Sequence, residues 1–253
     1  MIPSNFHTHT TRCHHANGTE REYIESAIEI GMTDLGFSDH CPIPFKTDYV
    51  SSIRMTIDQL DDYVSTLRKL SKEYAKDINI YVGLEMEYIP EYFNEQIALF
   101  DSFGIDYLIM GEHFIENEEN GAYSGTPFVD KKFLSRYVDT IIEGMKTKRF
   151  SYLAHPDLIN FIGEKDYYEK EMTRLCLEMK ALNIPLEVNA LGYYTNRHYP
   201  NNLFWDIAAK NGCDAIVGID AHDPICLKSQ EMYDAAVNII SSRNMNQVFL
   251  DLR

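Results

Sequence analysis

Four histidines lie close together near the start of the sequence, in the segment SNFHTHTTRCHHANGT. They are His7, His9, His14 and His15, out of nine histidines in the chain. A buried neutral histidine needs partners for both ring nitrogens, so an ordinary core has little use for four of them together. Imidazole is also a common metal ligand. The segment is therefore a candidate for part of a metal site, with further ligands from elsewhere in the chain.

Short segments with ligand-type or acid–base side chains recur along the whole chain. They follow short apolar runs and read HTH (7–9), SDH (38–40), GLEME (83–87), GEH (111–113), HPD (155–157), EVN (187–189) and DAH (220–222). Side chains at i and i+2 of a strand point to the same side, so His7 and His9 can bind one ion. Glu85 can bridge two ions through its two oxygens. For Glu87 the alternative interpretation is a solvated neighbour of Glu85.

Alternation of two periodicities predicts the elements that position these segments. Apolar runs predict strands at 33–38, 78–84, 105–110, 150–154, 185–188, 215–219 and 247–250. Helical periodicity predicts helices that include 20–30, 57–74, 131–146, 170–182, 202–210 and 231–241. Gly31, Gly104 and Gly212 stand where helices should end. About seven strand–helix repeats favour an α/β barrel formed by residues 1–253 as one domain, with a doubly wound sheet as the alternative.

The carboxyl ends of the strands of such a barrel meet at one mouth, where active sites are built. Asp39 and His40 taken alone can cap a turn, and His113 or His155 alone can be a hydrogen-bonded interior histidine. Seven consecutive strand ends with ligand-type residues favour metal binding instead. Mixed imidazole and carboxylate ligands suit zinc, manganese or iron(II). Two neighbouring ions are typical of in-line displacement at phosphorus.

Composition excludes several classes of function. The chain is 45% hydrophobic and 25% charged over 253 residues, and its net charge of −16 disfavours nucleic acid as a partner. No apolar run approaches the roughly 20 residues of a membrane span, and the N-terminus does not resemble a signal peptide. Five scattered cysteines favour a reducing cytoplasm over a disulfide scaffold. A small-molecule substrate is expected, and the oligomeric state stays open.

The segments HTHTTRCHHA, SDH, GLEMEY, GEHF, AHPD, LEVNA and GIDAHDP, in this order, resemble the PHP superfamily of polymerase and histidinol phosphatase metal-dependent phosphoesterases. The resemblance covers essentially the whole chain. The segments 53–55 and 199–200 resemble the stand-alone histidinol-phosphatase branch. The resemblance implies a distorted (β/α)7 barrel with two to three zinc, manganese or iron ions. It also implies hydrolysis of L-histidinol phosphate in histidine biosynthesis, with a nucleotide or sugar phosphate as the alternative substrate.

The same resemblance implies a role for each motif position. The implied ligand sets are His7, His9, Glu85 and Asp220 for one ion, Glu85, His113 and His155 for a second, and His15, His40 and His222 for a third. Asp39 would orient a ligand, and His14 is a doubtful neighbour of the site. Arg54 and Arg197 match phosphate-binding arginines, and Arg12 is a further candidate. His198 belongs to no strand end and is expected at the surface or behind the ligands.

The implied apparatus predicts a mechanism. A divalent ion lowers the pKa of a bound water toward about 7, so hydroxide is available at neutral pH for in-line attack on the phosphate. Glu85 and Asp220 would hold the ions, while Arg54 and Arg197 would stabilise charge on the phosphoryl oxygens. Two rival interpretations are metal-dependent hydrolysis of an amide or lactone and a metal-binding module without turnover.

Overall fold

Parallel strands form the inner layer of the molecule in the computed structural model, which describes residues 2–252. One parallel sheet has the order β1 (Ser4–Asn5), β2 (Asp34–His40), β3 (Asn79–Met86) and β4 (Tyr107–Met110). A second parallel sheet consists of β7 (Leu186–Asn189), β8 (Asp214–Gly218) and β9 (Asn246–Gln247). A separate antiparallel hairpin consists of β5 (Phe114–Ile115) and β6 (Ala122–Tyr123).

Single parallel bridges join the two parallel sheets into a ring. Leu153 bridges Met110 on one side and Leu186 on the other, and Thr8 bridges Ala221 where the ring closes. An open, doubly wound sheet would end in two unpaired edges, so that alternative is wrong. The ring confirms the distorted (β/α)7 barrel.

Helices cover the ring on the outside. They are α1 (Glu20–Glu29), α2 (Leu60–Glu73), α3 (Pro90–Phe103), α4 (Lys131–Lys146), α5 (Lys165–Leu182), α6 (Ala190–Tyr194), α7 (Asn202–Lys210), α8 (Pro224–Leu227) and α9 (Gln230–Ser241). The helical segments given above do not include α3, although Gly104 predicts a helix end there; α3 begins at a proline, where the missing N–H costs no hydrogen bond. Gly104 ends α3 with φ +65°, as predicted for a helix end. Within residues 2–252, no helix has both the length and the apolar character needed to cross a membrane.

Two predicted strands are shorter than the apolar runs suggest. The run 150–154 contributes one bridge, because His155 has φ +28° and turns the chain away directly after it. Its backbone still reaches both neighbours, since Leu153 N donates to Pro185 O at 3.1 Å. The run 247–250 leaves the sheet after β9, and its Val248 and Leu250 pack against the barrel interior while Phe249 is exposed.

The barrel interior opposite the strand ends is filled by apolar and aromatic side chains, which we call the barrel floor. Its members are Phe6, Tyr107, Ile109, Tyr152, Ala154 and Ile216, with Val248, Leu250 and Leu252 packed against them. The hydroxyl of Tyr107 donates to the carbonyls of Phe6 at 2.9 Å and Phe37 at 3.1 Å. Gly83 makes room for this ring, because a Cβ there would lie 2.3 Å from it. The floor closes one end of the barrel.

Candidate metal centre

The strand ends meet around a cleft of about 510 Å³ at the other end of the barrel. Most predicted ligands line it, namely His15, His40, Glu85, His113, His155, Asp220 and His222. Its remaining wall is aromatic or apolar apart from one threonine and one arginine, and it consists of Ile53, Phe114, Tyr123, Leu158, Leu191, Thr195, Arg197 and Tyr199. The fold therefore brings together residues that are up to about two hundred positions apart in the sequence.

Glu85 stands at the centre of the histidines. Its Oε1 lies 2.8 Å from Nε2 of His155, 3.4 Å from Nε2 of His113 and 3.6 Å from Nε2 of His7. Its Oε2 lies 3.0 Å from Nδ1 of His40 and 3.6 Å from Nε2 of His9. The two oxygens thus face different histidines, which is the arrangement that a bridging carboxylate requires.

Asp220 gathers a second group of imidazoles. Its Oδ1 lies 3.1 Å from Nε2 of His9, 3.3 Å from Nδ1 of His222 and 3.4 Å from Nε2 of His7. Nε2 of His222 is in turn 3.0 Å from Nε2 of His15, which extends the cluster toward solvent. The ligand atoms of His7, His9 and Asp220 all lie within 4.8 Å of one another, a spacing that one ion can span.

The backbone is unusual at the same positions. Asp220 has φ +57° and His155 has φ +28°, which are strained for residues other than glycine. At Gly111 a Cβ would lie 2.1 Å from Oε1 of Glu85, so only glycine leaves room for this carboxylate. Strain and close approach at ligand positions are typical of functional sites.

A second layer of buried carboxylates lies behind the histidines. The pairs are His7 Nδ1 with Glu187 at 2.7 Å, His113 Nδ1 with Glu87 at 2.9 Å, and His9 Nδ1 with Asp39 at 3.4 Å. An ionised carboxylate only accepts hydrogen bonds, so Nδ1 of each imidazole carries the proton and Nε2 presents its lone pair to the cleft. Such pairs fix the tautomer and orientation of metal-binding histidines.

Two of these carboxylates have no assigned role in the sequence analysis. Glu87 is 3% exposed, so its interpretation as a solvated neighbour of Glu85 is wrong. Glu187 is fully buried, and its Oε1 also accepts from Nδ2 of Asn189 at 3.0 Å. The signal available in the sequence is the alternation of Glu187 and Asn189 with apolar residues in β7, which places both side chains on one face.

Several atoms of the cluster are buried and have no hydrogen bond within residues 2–252. They are His7 Nε2, His9 Nε2, His40 Nδ1, His155 Nδ1, Glu85 Oε2 and Asp220 Oδ1. A buried polar atom without a partner costs about 1–3 kcal/mol, so several in one place indicate a binding site. All six belong to imidazoles or carboxylates, a donor set that suits divalent transition metals, so the residues fit the metal that the family resemblance implies.

Electrostatics also favour a cation at this place. Burial disfavours the charged form of Glu85, yet His113, His7 and His40 hold the pKa of its carboxyl well below the ordinary value. The pKa of Asp220 is likewise held low against burial, by His7 and His222. Burial disfavours protonation of His7, but Glu187, Asp220 and Glu85 raise its pKa well above the ordinary value. The carboxylates thus attract positive charge, which a divalent cation would supply.

The two predicted phosphate-binding arginines have different surroundings. Arg197 lies at the cleft rim, where its Nη1 donates to the hydroxyl of Tyr199 at 2.9 Å. Among the described residues it has no carboxylate within 4.0 Å. Arg54 is 1% exposed and pairs with Glu87 and Glu118. The structure therefore brings Arg197 to the cleft and places Arg54 behind it.

The remaining candidates lie outside the cleft or at its edge. Arg12 pairs with Glu20 and Asp62. His14 is exposed, and His198 faces the carbonyl of Leu158.

Cys13, which the sequence analysis does not single out, is buried beside the histidines. Burial raises the pKa of its thiol, but His15, His222 and His9 outweigh that effect and lower it to about 5.

Comparison with known proteins assigns the family. The family model of the PHP domain matches residues 5–191. The chain belongs to the PHP family. This PHP chain is 31% identical over 247 residues to the histidinol-phosphatase of Bacillus subtilis, with 85% of this chain and 92% of the relative covered. It is 28% identical over 234 residues to a Deinococcus radiodurans protein named "Probable histidinol-phosphatase", with 86% and 85% covered.

A solved structure has the same fold. It is the histidinol phosphate phosphatase of Lactococcus lactis in complex with zinc, L-histidinol and phosphate. The TM-score is 0.72 at 14% sequence identity, over 97% of this PHP chain and 95% of the other. At this identity the similarity supports the barrel fold.

Proposed function

We propose that this PHP chain is a metal-dependent phosphomonoesterase that hydrolyses L-histidinol phosphate to L-histidinol and phosphate. The observation that carries the proposal is the position of Glu85, whose two oxygens face different histidines in a cleft with Arg197 at its rim. The substrate is proposed from the relatives in Bacillus subtilis and Deinococcus radiodurans, which are named histidinol-phosphatases. Histidine biosynthesis in the cytoplasm is the corresponding setting.

Two or three divalent ions would occupy the cluster. We assign His7, His9, Glu85 and Asp220 to one ion, Glu85, His113 and His155 to a second, and His15, His40 and His222 to a third. Zinc is the first choice because the relative from Lactococcus lactis contains it, and manganese and iron are the alternatives. When bound, such ions act as Lewis acids on phosphoryl oxygens and activate water for attack on phosphorus.

The chain's own residues perform the remaining tasks. Glu187, Asp39 and Glu87 keep the proton of their histidines on Nδ1, so that each Nε2 is available to an ion. Arg197 presents a planar, permanently charged fork to phosphoryl oxygens, and Tyr199 orients it. The apolar and aromatic wall of the cleft limits access of bulk water to the reacting phosphate, which strengthens these charge interactions.

Activity of zinc- or manganese-loaded protein on a panel of phosphomonoesters tests the proposal. The panel should contain histidinol phosphate, a nucleoside monophosphate and a hexose phosphate at equal concentration. We expect the highest kcat/KM with histidinol phosphate. A higher value with a nucleotide or sugar phosphate would favour the alternative substrate class.

The same assay separates the other interpretations. Hydrolysis of an amide or lactone without phosphatase activity would identify a different metal-dependent hydrolase. Metal binding without turnover of any ester would indicate a binding module. The paired buried carboxylates and Arg197 favour phosphoryl chemistry over amide or lactone hydrolysis and over binding without turnover. A phosphate dianion needs positive charge on the side that the ions would not cover.

A further inference from the structure

Arg54 is held by carboxylates on two sides although it is buried. Its Nη1 and Nη2 donate to Oε2 and Oε1 of Glu87 at 3.0 and 2.9 Å, which is a bidentate pair. Its Nε donates to Oε2 of Glu118 at 2.6 Å, and Nη1 also reaches the carbonyl of Cys41 at 3.1 Å. These bonds occupy all three nitrogens of the guanidinium, so its contacts are internal and none reaches the cleft.

The pair leads directly to a proposed metal ligand. Oε1 of Glu87, which accepts from Arg54, lies 2.9 Å from Nδ1 of His113. Nε2 of the same imidazole lies 3.4 Å from Oε1 of Glu85. Arg54, Glu87, His113 and Glu85 thus form one continuous chain of contacts, and at least nine-tenths of each residue is buried.

The other side of Arg54 holds a long loop. Residues 41–56 connect β2 to the start of the next helical segment and contain no helix or strand. Oε1 of Glu118 accepts from the hydroxyls of Tyr49 at 2.9 Å and Ser51 at 2.6 Å, and its Oε2 accepts from Arg54. Ile53, in the same loop, lines the cleft.

We propose that Arg54 and Glu87 are positioning residues: Arg54 holds Glu87 against Nδ1–H of His113, so that Nε2 faces Glu85 with its lone pair. This differs from the phosphate-binding role that the family resemblance implies for Arg54. The inference rests on the proposed metal centre only in taking that lone pair as an ion ligand. The bidentate pair with Arg54 fixes the carboxylate of Glu87, and its Oε1 accepts from Nδ1–H of His113 at 2.9 Å.

The test is Glu87→Ala in the full chain, with two measurements that need no turnover. Imidazole ¹⁵N spectra of the metal-free protein, recorded at a pH where the ring is neutral, report the tautomer of His113. We expect Nδ1–H alone in the wild type and a mixture of tautomers in the variant. Zinc affinity, measured by competition with a chelator, should fall about 10- to 100-fold. Glu87→Asp, which keeps the acceptor, should restore part of the Nδ1–H preference and part of the zinc affinity. Failure to hydrolyse histidinol phosphate would affect neither measurement.

Glu171→Ala is the matched control. Glu171 is a carboxylate of α5 that is 3% exposed and accepts from Nε of Arg174 at 3.1 Å, so its removal also breaks a contact between a buried acid and an arginine. It should lower stability and leave the His113 tautomer and the zinc affinity unchanged. An unchanged tautomer and affinity in folded Glu87→Ala would overturn the proposal, because the role would then be structural only.

A triple variant covers the case in which Glu87→Ala does not fold. Arg54→Met and Glu87→Met with Glu118→Gln removes all three charges of the buried group and keeps side-chain volume, a replacement that buried ionic groups often tolerate. We expect this folded variant to show mixed His113 tautomers and weakened zinc binding. A wild-type His113 tautomer together with wild-type zinc affinity in this variant would also reject the proposal.

Discussion

The floor and the mouth are the two ends of one barrel interior, and they are lined by different kinds of side chain. At the floor, aromatic and aliphatic side chains pack together, and the hydroxyl of Tyr107 donates to the carbonyls of Phe6 and Phe37. At the mouth, imidazoles and carboxylates such as His9 and Asp220 bury ring nitrogens and oxygens that have no hydrogen bond within residues 2–252. The floor is complete in the polypeptide alone, whereas the mouth is complete only with a ligand.

The difference explains how one barrel supplies both stability and chemistry. Each unpartnered buried polar atom costs about 1–3 kcal/mol, so the mouth is destabilising until a cation compensates it. The aromatic floor and the outer helices supply the stability that tolerates this cost. Substitutions at the mouth should therefore change metal binding and turnover, and substitutions at the floor should change stability.

The largest effect is expected from Glu85→Ala. Because Glu85 is proposed to bridge, its loss should remove at least two ions together and reduce turnover to the background rate. Metal content by elemental analysis and phosphatase activity measure both effects. A full metal complement in this variant would contradict the bridging assignment. Tyr107→Phe, at the floor, is the control and should keep its metal.

Metal removal should destabilise the wild type. An ion that binds only the folded state stabilises it by about 4 kcal/mol when its concentration is 1,000 times Kd. We therefore expect a chelator to lower Tm markedly in the wild type and hardly at all in Glu85→Ala, where the ions are already lost. Equal shifts in both proteins would mean that the chelator acts elsewhere than at the mouth.

A smaller effect is expected from Arg197→Ala. Arginine binds no cation, so metal content should stay unchanged, while kcat/KM for histidinol phosphate should fall roughly 10²-fold. If Arg197 stabilises charge in the transition state, kcat falls with it; if it only binds substrate, KM alone rises. Steady-state kinetics with parallel metal analysis distinguish the two. Unchanged kinetics would remove Arg197 from the site.

The smallest effect is expected from Tyr107→Phe at the floor. The variant loses one hydroxyl whose hydrogen bonds join two strands, so the free energy of unfolding should decrease by about 1–2 kcal/mol. Urea denaturation measures this change, and metal content and kcat should stay at the wild-type level. Loss of metal in this variant would show that the floor and the mouth are not independent.

Much of the candidate site could be predicted from the sequence because its proposed ligands form local patterns. The pair His7 and His9 repeats at the strand period, and so does the pair Asp220 and His222. Strand–helix alternation places such pairs at strand ends, and a parallel barrel brings all strand ends to one mouth. These steps need only periodicity and topology, which adjacent residues encode.

The tertiary structure alone decided which charged side chains face the cleft and which are paired behind it. Arg54 and Arg197 look alike in the sequence, but Arg54 meets Glu87 and Glu118, which are 33 and 64 positions away. Glu187 meets His7 across 180 positions. A charged residue carries no local sign of its partner, and burial, which makes pairing obligatory, is a property of the folded chain. Residue types and strand period therefore determined the proposed metal cluster, whereas long-range packing determined which side chains orient its histidines.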